Sequence, residues 1–286
     1  MGKFTAVLRL TRIEHSAMLV VAVIAAELLA GSLPTAQVLI LSLITPIFIS
    51  MASFAVNDYF DVKVDRLNMK NRPLVTQELR PIDAVYVAVA CFAVGITASA
   101  LINTYTFVIA ALFAGLAVLY SYKLKEVFLL GNAYIALTMV IPFVFGNYVV
   151  SESLVWAIVP ISVMVFMSGL AREIHGTIRD YGGDVKVRKV RTLPRVIGVH
   201  GASVSAFALY AIAIAISGYL FSSVPPFMLN WAYAVPIIVS DLMLLYVGLG
   251  YVYSAKRKFY EKTRNVSLFA MGLALIAILA SAAFYL

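Results

Sequence analysis

Cysteine is nearly missing from this chain: Cys91 stands alone inside an apolar run. That excludes a disulfide frame or a cysteine-ligated metal, and the residue reads as a small buried hydrophobe. Histidine is almost as scarce. His15, His175 and His200 are the three present, none with a partner at ligand spacing, so no zinc site is expected. Charge is sparse too, at 13% of residues, where a soluble globular chain carries about a quarter. Hydrocarbon takes its place. The 286 residues are 63% hydrophobic, with mean hydropathy +0.96 and apolar runs too long for the core of a soluble domain. A polytopic membrane bundle would use up this length, so residues 1–286 are read as a single transmembrane domain. No cleavable leader is expected, because the first apolar run passes into a multi-span pattern without a small-residue cleavage site.

Nine segments are read as spans, near Ser16–Ala30, Ala36–Asn57, Ile82–Leu101, Tyr105–Tyr120, Phe128–Val149, Leu154–Arg172, Gly201–Phe221, Leu229–Tyr253 and Val266–Leu286. The first is the weakest, since it contains Glu27. The fold class is therefore all-α, a polytopic bundle of about nine transmembrane helices. Its connections alternate in charge. Gly31–Thr35, Ile102–Thr104, Val150–Ser153 and Ser222–Met228 hold no Lys or Arg, and all 22 of those residues fall on the other side. The positive-inside rule makes that side cytoplasmic, with the N-terminus inside and the C-terminus outside. The net charge of +8 is then a topology signal rather than a sign of nucleic acid, and the chain is placed in the cell membrane as a multi-pass protein.

Topology does not explain the acids. Eleven of the fourteen Asp and Glu lie on or beside the basic face, and five gather at two spots. Asp58, Asp61 and Asp65 follow one another at helical steps of three and four, with Asn57 beside the first. Like charges in neighbouring turns repel, and a divalent cation turns the repulsion into binding. Hard oxygen ligands suit Mg²⁺, which usually completes its shell with water and substrate phosphates. Asp180 and Asp184 repeat the i, i+4 spacing after the sixth span, with Gly182-Gly183 between them able to end or bend a helix. Both clusters fall in connections of roughly twenty-five residues, a length uncommon unless functional. Acids ringed by Lys and Arg suit a polyanion held through metal, such as a diphosphate. A prenyl diphosphate, anionic at the head and hydrocarbon in the tail, belongs at such a boundary.

The motifs also carry a resemblance. Asn57-Asp58-x-x-Asp61-x-x-x-Asp65-Arg66, with Asn71-Arg72-Pro73-Leu74 after it, resembles the first aspartate-rich motif of the intramembrane prenyltransferases typified by 4-hydroxybenzoate polyprenyltransferase. Asp180-x-x-Gly183-Asp184, followed by Arg191-Thr192-Leu193-Pro194, resembles the second. Arg12-Ile13-Glu14-His15 and Tyr120-Ser121-Tyr122-Lys123 stand where that family has polar active-site elements. The resemblance covers essentially the whole chain and implies Mg²⁺-dependent prenyl transfer on the cytoplasmic side. It assigns Asn57, Asp58, Asp61, Asp180 and Asp184 to metal and diphosphate. Asp65 is either a further ligand or the residue that orients Arg66. Arg12, Arg72 and Lys123 become contacts to diphosphate or acceptor phosphate, joined by Arg66, Arg172 and Lys186, and Tyr120 lies near the departing diphosphate. Val185 stands where the family usually has a basic residue, with Lys186 one position on. Glu173 and Asp184 are the candidate acceptors of the substrate proton.

Ala171-Arg172-Glu173-Ile174 is most similar to the family's archaeal branch. That branch joins a geranylgeranyl group, from geranylgeranyl diphosphate, to the hydroxyl of geranylgeranylglyceryl phosphate and makes an ether lipid. An aromatic acceptor shares the same diphosphate site and stays open as an alternative. A transporter fits less well, because its sites usually lie at the bilayer midplane. A CDP-alcohol phosphatidyltransferase fails, since its leading Asp-Gly would fall on Met167-Ser168. Glu27 and Asp241, inside spans, are read as interhelical hydrogen bonds or cavity lining. Gly146, Gly169 and Gly248 are read as close helix contacts.

Overall fold

The computed structural model describes residues 2–187, 192–253 and 257–285, without the side chains of 182–187, 257–258 and 285. Among the described residues the chain is helical, with no strand. A short amphipathic helix, α1 (Lys3–Thr11), precedes nine longer ones: α2 (Ser16–Leu29), α3 (Ala36–Leu67), α4 (Pro81–Ala100), α5 (Thr104–Tyr122), α6 (Leu130–Val150), α7 (Ile158–Val187), α8 (Leu193–Ser223), α9 (Trp231–Tyr253) and α10 (Arg257–Tyr285).

Eight of these, α3 to α10, are long and apolar enough to cross a membrane. The 14 residues of α2 make only about 21 Å, yet α2 passes through most of the bundle. Arg12, just ahead of it, meets Asp58 of α3, while Glu27 near its end accepts from Ser42 of α3 at 2.6 Å. Positions 58 and 42 lie about 24 Å apart along that helix. The nine expected spans therefore correspond to α2–α10, and Glu27 makes the interhelical hydrogen bond expected of it.

Neighbours in sequence pack side by side, and α10 returns against α2 and α7, closing the bundle. Small residues set how close the helices come. Ala22, Ala25 and Ala26 of α2 are buried against α6, and a Cβ on Gly146 would sit 2.5 Å from the Val23 carbonyl oxygen. Tight spacing of this kind stands in for the hydrophobic drive that lipid cannot supply between helices. The largest apolar cluster joins Ala25, Phe143, Ile158, Phe227, Tyr233 and Ile278. A second ties α1 and the 68–80 connection to α3 and α4 through Leu10, Ala55, Leu74 and Ala84.

One expectation is corrected. The two acidic stretches are not long loops. α3 continues to Leu67 and α7 to Val187, through Gly182-Gly183, so the first connection shrinks to 68–80 and both acidic stretches lie on helix. Hydropathy marks where the apolar span stops; a charged helix continues beyond it because its backbone bonds are already satisfied within the helix. At the start of α8 the backbone does break, at Gly198 with φ 77°, a value glycine adopts without steric cost.

Candidate active site

At the end of the bundle where α3 leaves its apolar span, three carboxylates meet cations from distant parts of the chain. Asp58 Oδ1 accepts from Arg12 Nη2 in a very short contact and from Arg72 Nη1 at 2.8 Å. Arg72 Nε also lies 3.4 Å from Asp65 Oδ2, so one guanidinium bridges positions 58 and 65, two helical turns apart. Lys70 Nζ reaches Asp65 at 2.8 Å, and Lys125 Nζ, from the connection after α5, reaches Asp61 at 2.7 Å. Asp58 and Asp65 are buried, and the cations that accompany them offset the cost of removing carboxyl groups from water. Asp58 Oδ2 is the exception, buried with no hydrogen-bond partner.

Local conformation serves this arrangement. Arg12 ends α1 in the left-handed region, φ 47° and ψ 48°, a conformation that costs a non-glycine residue about 1 kcal/mol. The turn lays its guanidinium over the Phe54 ring, 4.6 Å from the centroid, and against Asp58. His15 meets the edge of the same ring at 5.4 Å. Farther out, Arg9 Nη1 holds both oxygens of Glu78 at 3.0 Å, which pins α1 to the 68–80 connection.

Beneath the carboxylates lies a cavity of about 580 Å³. Asn57, His15, Tyr120, Arg172 and Arg264 contribute polar groups to its lining, while Met18, Ile49, Phe113 and Leu275 supply apolar wall. Tyr120 stacks on Tyr134 with ring centroids 4.7 Å apart. Asp241 also lines the cavity, and it accepts from Ser217 at 2.6 Å, so both roles expected of it are met. Pro46 and Pro142 reach the cavity from inside α3 and α6, where neighbouring helices tolerate the backbone bond each one removes.

The structure thus brings together Arg12, Asp58, Asp65 and Arg72, and places Asn57, Tyr120 and Arg172 on one cavity. Other expectations change. Arg66 is exposed and Asp65 engages Lys70 and Arg72 instead, because helical periodicity carries the next residue round to another face. Lys123, at the C-terminal end of α5, is exposed as well, and Lys125 reaches the acidic cluster. Sequence reasoning missed Lys125, Lys70 and Arg264. Only their place on the basic face marked them. Asp180 is half-exposed and makes a two-pronged pair with its neighbour Arg179, at 2.8 and 2.9 Å. The side chains of Asp184 and Lys186 lie outside those described, and Arg191 lies outside the described residues. Among the described residues no three Asp, Glu, His or Cys stand close enough to hold a metal. The first cluster is held by its own cations instead.

A helical membrane bundle with an apolar cavity under a rim of paired acids and bases is built to hold an amphiphile by an anionic head. The UbiA prenyltransferase family model matches residues 18–272, and the chain belongs to that family, whose members are prenyltransferases. Digeranylgeranylglyceryl phosphate synthase of Archaeoglobus fulgidus is 37% identical over 85% of this chain and 83% of its own length. The synthase of the same name from Methanopyrus kandleri is 32% identical over 74% and 76%. Among solved structures, one described as digeranylgeranylglyceryl phosphate synthase in membranes has a TM-score of 0.79 at 23% identity, covering 99% of both chains. A UbiA homologue from Archaeoglobus fulgidus bound to GPP and Mg²⁺ has a TM-score of 0.64 at 21% identity, covering 96% of this chain and 99% of that one. These structural likenesses show the shared fold.

Proposed function

We propose that the protein transfers a geranylgeranyl group from geranylgeranyl diphosphate to the hydroxyl of geranylgeranylglyceryl phosphate, releasing diphosphate and forming an ether lipid. One observation carries the reading. A single apolar cavity is lined by Asn57 of the first motif, by Tyr120, and by Arg172 of the helix that bears the second. The sequence likeness to two digeranylgeranylglyceryl phosphate synthases supports the choice of acceptor.

The donor types suit Mg²⁺, which needs only one or two carboxylates when water and substrate phosphates complete its shell. Asn57, Asp58, Asp61, Asp65 and Asp180 offer the hard oxygen donors it takes, and Asp58 Oδ2 is a buried carboxylate oxygen with no hydrogen-bond partner. Bound there, Mg²⁺ would act as Lewis acid and template for the leaving diphosphate. The chain's own groups account for the rest. Arg12, Arg72 and Lys125 stand among the carboxylates, where they can take the charge that grows on the diphosphate oxygens as the C1–O bond breaks. The apolar wall keeps water from the allylic cation. The Tyr120–Tyr134 stack presents aromatic surface to it. The acceptor oxygen then bonds to C1, and its proton passes to the departing diphosphate or to Glu173. In sequence every Lys and Arg falls on the connections of one side, and by the positive-inside rule this supports a rim facing the cytoplasm.

The test is product analysis. Purified protein with Mg²⁺, geranylgeranyl diphosphate and geranylgeranylglyceryl phosphate should yield the diether and diphosphate, and chelation by EDTA should stop it. Turnover of an aromatic acid in place of the glycerol phosphate would overturn the assignment.

A further inference from the structure

The cations around the cavity fall into two sets. Arg12 and Arg72 are engaged by Asp58, Lys70 by Asp65 and Lys125 by Asp61. The two arginines that line the cavity are engaged less, Arg172 by one loose ion pair with its neighbour Glu173. Arg172 of α7 has a buried Nε with no hydrogen-bond partner, and its nearest acid, Glu173, stands 3.6 Å away, beyond hydrogen bonding. Arg264 of α10 makes no ion pair among the described residues. α10 packs on α7. The hydroxyl of Tyr210 is buried as well, near Ser267, one turn on from Arg264. The buried Arg172 Nε, unmatched beside an apolar cavity, is costly unless an acceptor accompanies it, and Arg264 stands exposed at the cavity edge, where it can add a second guanidinium.

We propose that Arg172 and Arg264 form a second anion site, one that binds the phosphate of the acceptor and selects a phosphorylated lipid over a neutral or aromatic one. This rests on the transfer reading given above. The chemistry requires such a division. Two phosphate-bearing substrates repel each other, and the acceptor hydroxyl must still approach C1 of the donor. Separate cation sets, one on the α3 side and one on α7 and α10, hold both heads while C1 of the donor and the acceptor hydroxyl meet in the cavity between them. Guanidinium suits the task, since its planar fork of donors matches phosphate oxygens.

Steady-state kinetics on the full-length protein test the site, with each substrate varied in turn. Arg264→Gln should raise KM for geranylgeranylglyceryl phosphate by about ten- to a hundredfold, the range for losing one charge-assisted contact. KM for geranylgeranyl diphosphate should stay within about twofold, which also reports an intact fold. Arg172→Gln should act in the same direction, and Arg264→Lys should recover part of the loss. The dephosphorylated acceptor, geranylgeranylglycerol, should be used equally by wild type and Arg264→Gln, so that the wild-type preference for phosphate shrinks by the same factor. An unchanged acceptor KM, or a rise confined to the diphosphate, would overturn the second site while leaving the transferase reading in place. A wild-type protein that prenylates an aromatic acid and ignores the glycerol phosphate would overturn both.

Discussion

The two aspartate clusters look alike in sequence and are built differently. The carboxylates of α3 are met by Arg12, Lys70, Arg72 and Lys125, cations that lie up to 64 positions away. The described part of the α7 cluster has only the adjacent Arg179 for company, on a helix that has already left the apolar span. Asp58 is 1% exposed in its side chain and Asp180 is 51% exposed. The first cluster is therefore assembled by the fold before any substrate arrives. The described part of the second, Asp180, stands exposed on a helical extension, and in the proposed function it would meet an anion and its metal only when they bind. Preorganised groups contribute more to catalysis because little is spent on orienting them.

Two substitutions would break this contrast if it is wrong. Asp58→Asn and Asp180→Asn should each lower kcat/KM by on the order of a hundredfold or more, since each removes a charged oxygen from the proposed diphosphate site. Their stabilities should differ. Asp58→Asn leaves two guanidinium groups without their carboxylate and should cost about 2 kcal/mol, visible as a lower Tm in detergent. Asp180→Asn loses one solvent-screened pair and should change stability by less than about 0.5 kcal/mol. Equal losses of Tm in the two variants would mean that the clusters are not built differently. A smaller effect sharpens the picture within the first cluster. Lys125→Ala should reduce kcat/KM for the prenyl diphosphate by about tenfold, whereas Lys123→Ala should change it by less than about twofold. The reverse order would restore the role that the sequence suggested for Lys123.

Much of this was legible from spacing alone. The apolar runs located every crossing helix, because hydrocarbon forces the backbone to satisfy itself within the segment. The steps of three and four at Asp58, Asp61 and Asp65 placed them on consecutive turns of one helix, as found. What spacing could not show is which cation answers which acid. Lys123 and Lys125 are two residues apart, and the turn after α5 decides that the second faces Asp61. Arg66 adjoins Asp65 in sequence and faces away, while Arg72 returns from the 68–80 connection to bridge two carboxylates. Arg264 was counted as a topology charge, since only the packing of α10 on α7 brings its helix to the cavity. Helix ends were the least legible part, because a charged helix that outruns its apolar span leaves no mark in hydropathy.

The smallest expected effect concerns how α1 is held over the first cluster. Glu78 accepts from the Thr76 hydroxyl at 2.7 Å and from Arg9 at 3.0 Å, and these contacts hold its carboxyl below the ordinary glutamate value. A lowered folded-state pKa means that the contribution to stability is present above the unfolded-state value of about 4.5 and is lost as pH falls through the folded one. Glu78→Gln should therefore lower Tm slightly at pH 7, and the difference from wild type should shrink as pH falls below the unfolded-state value of about 4.5. Because Arg9 also donates to the Asn71 side chain at 3.2 Å, α1 should remain docked and Arg12 should keep its place on Asp58. The variant should then retain wild-type turnover at pH 7. A loss of activity beyond about threefold would show that the Arg9–Glu78 pair helps position the catalytic rim, and would extend the preassembled cluster one layer outward.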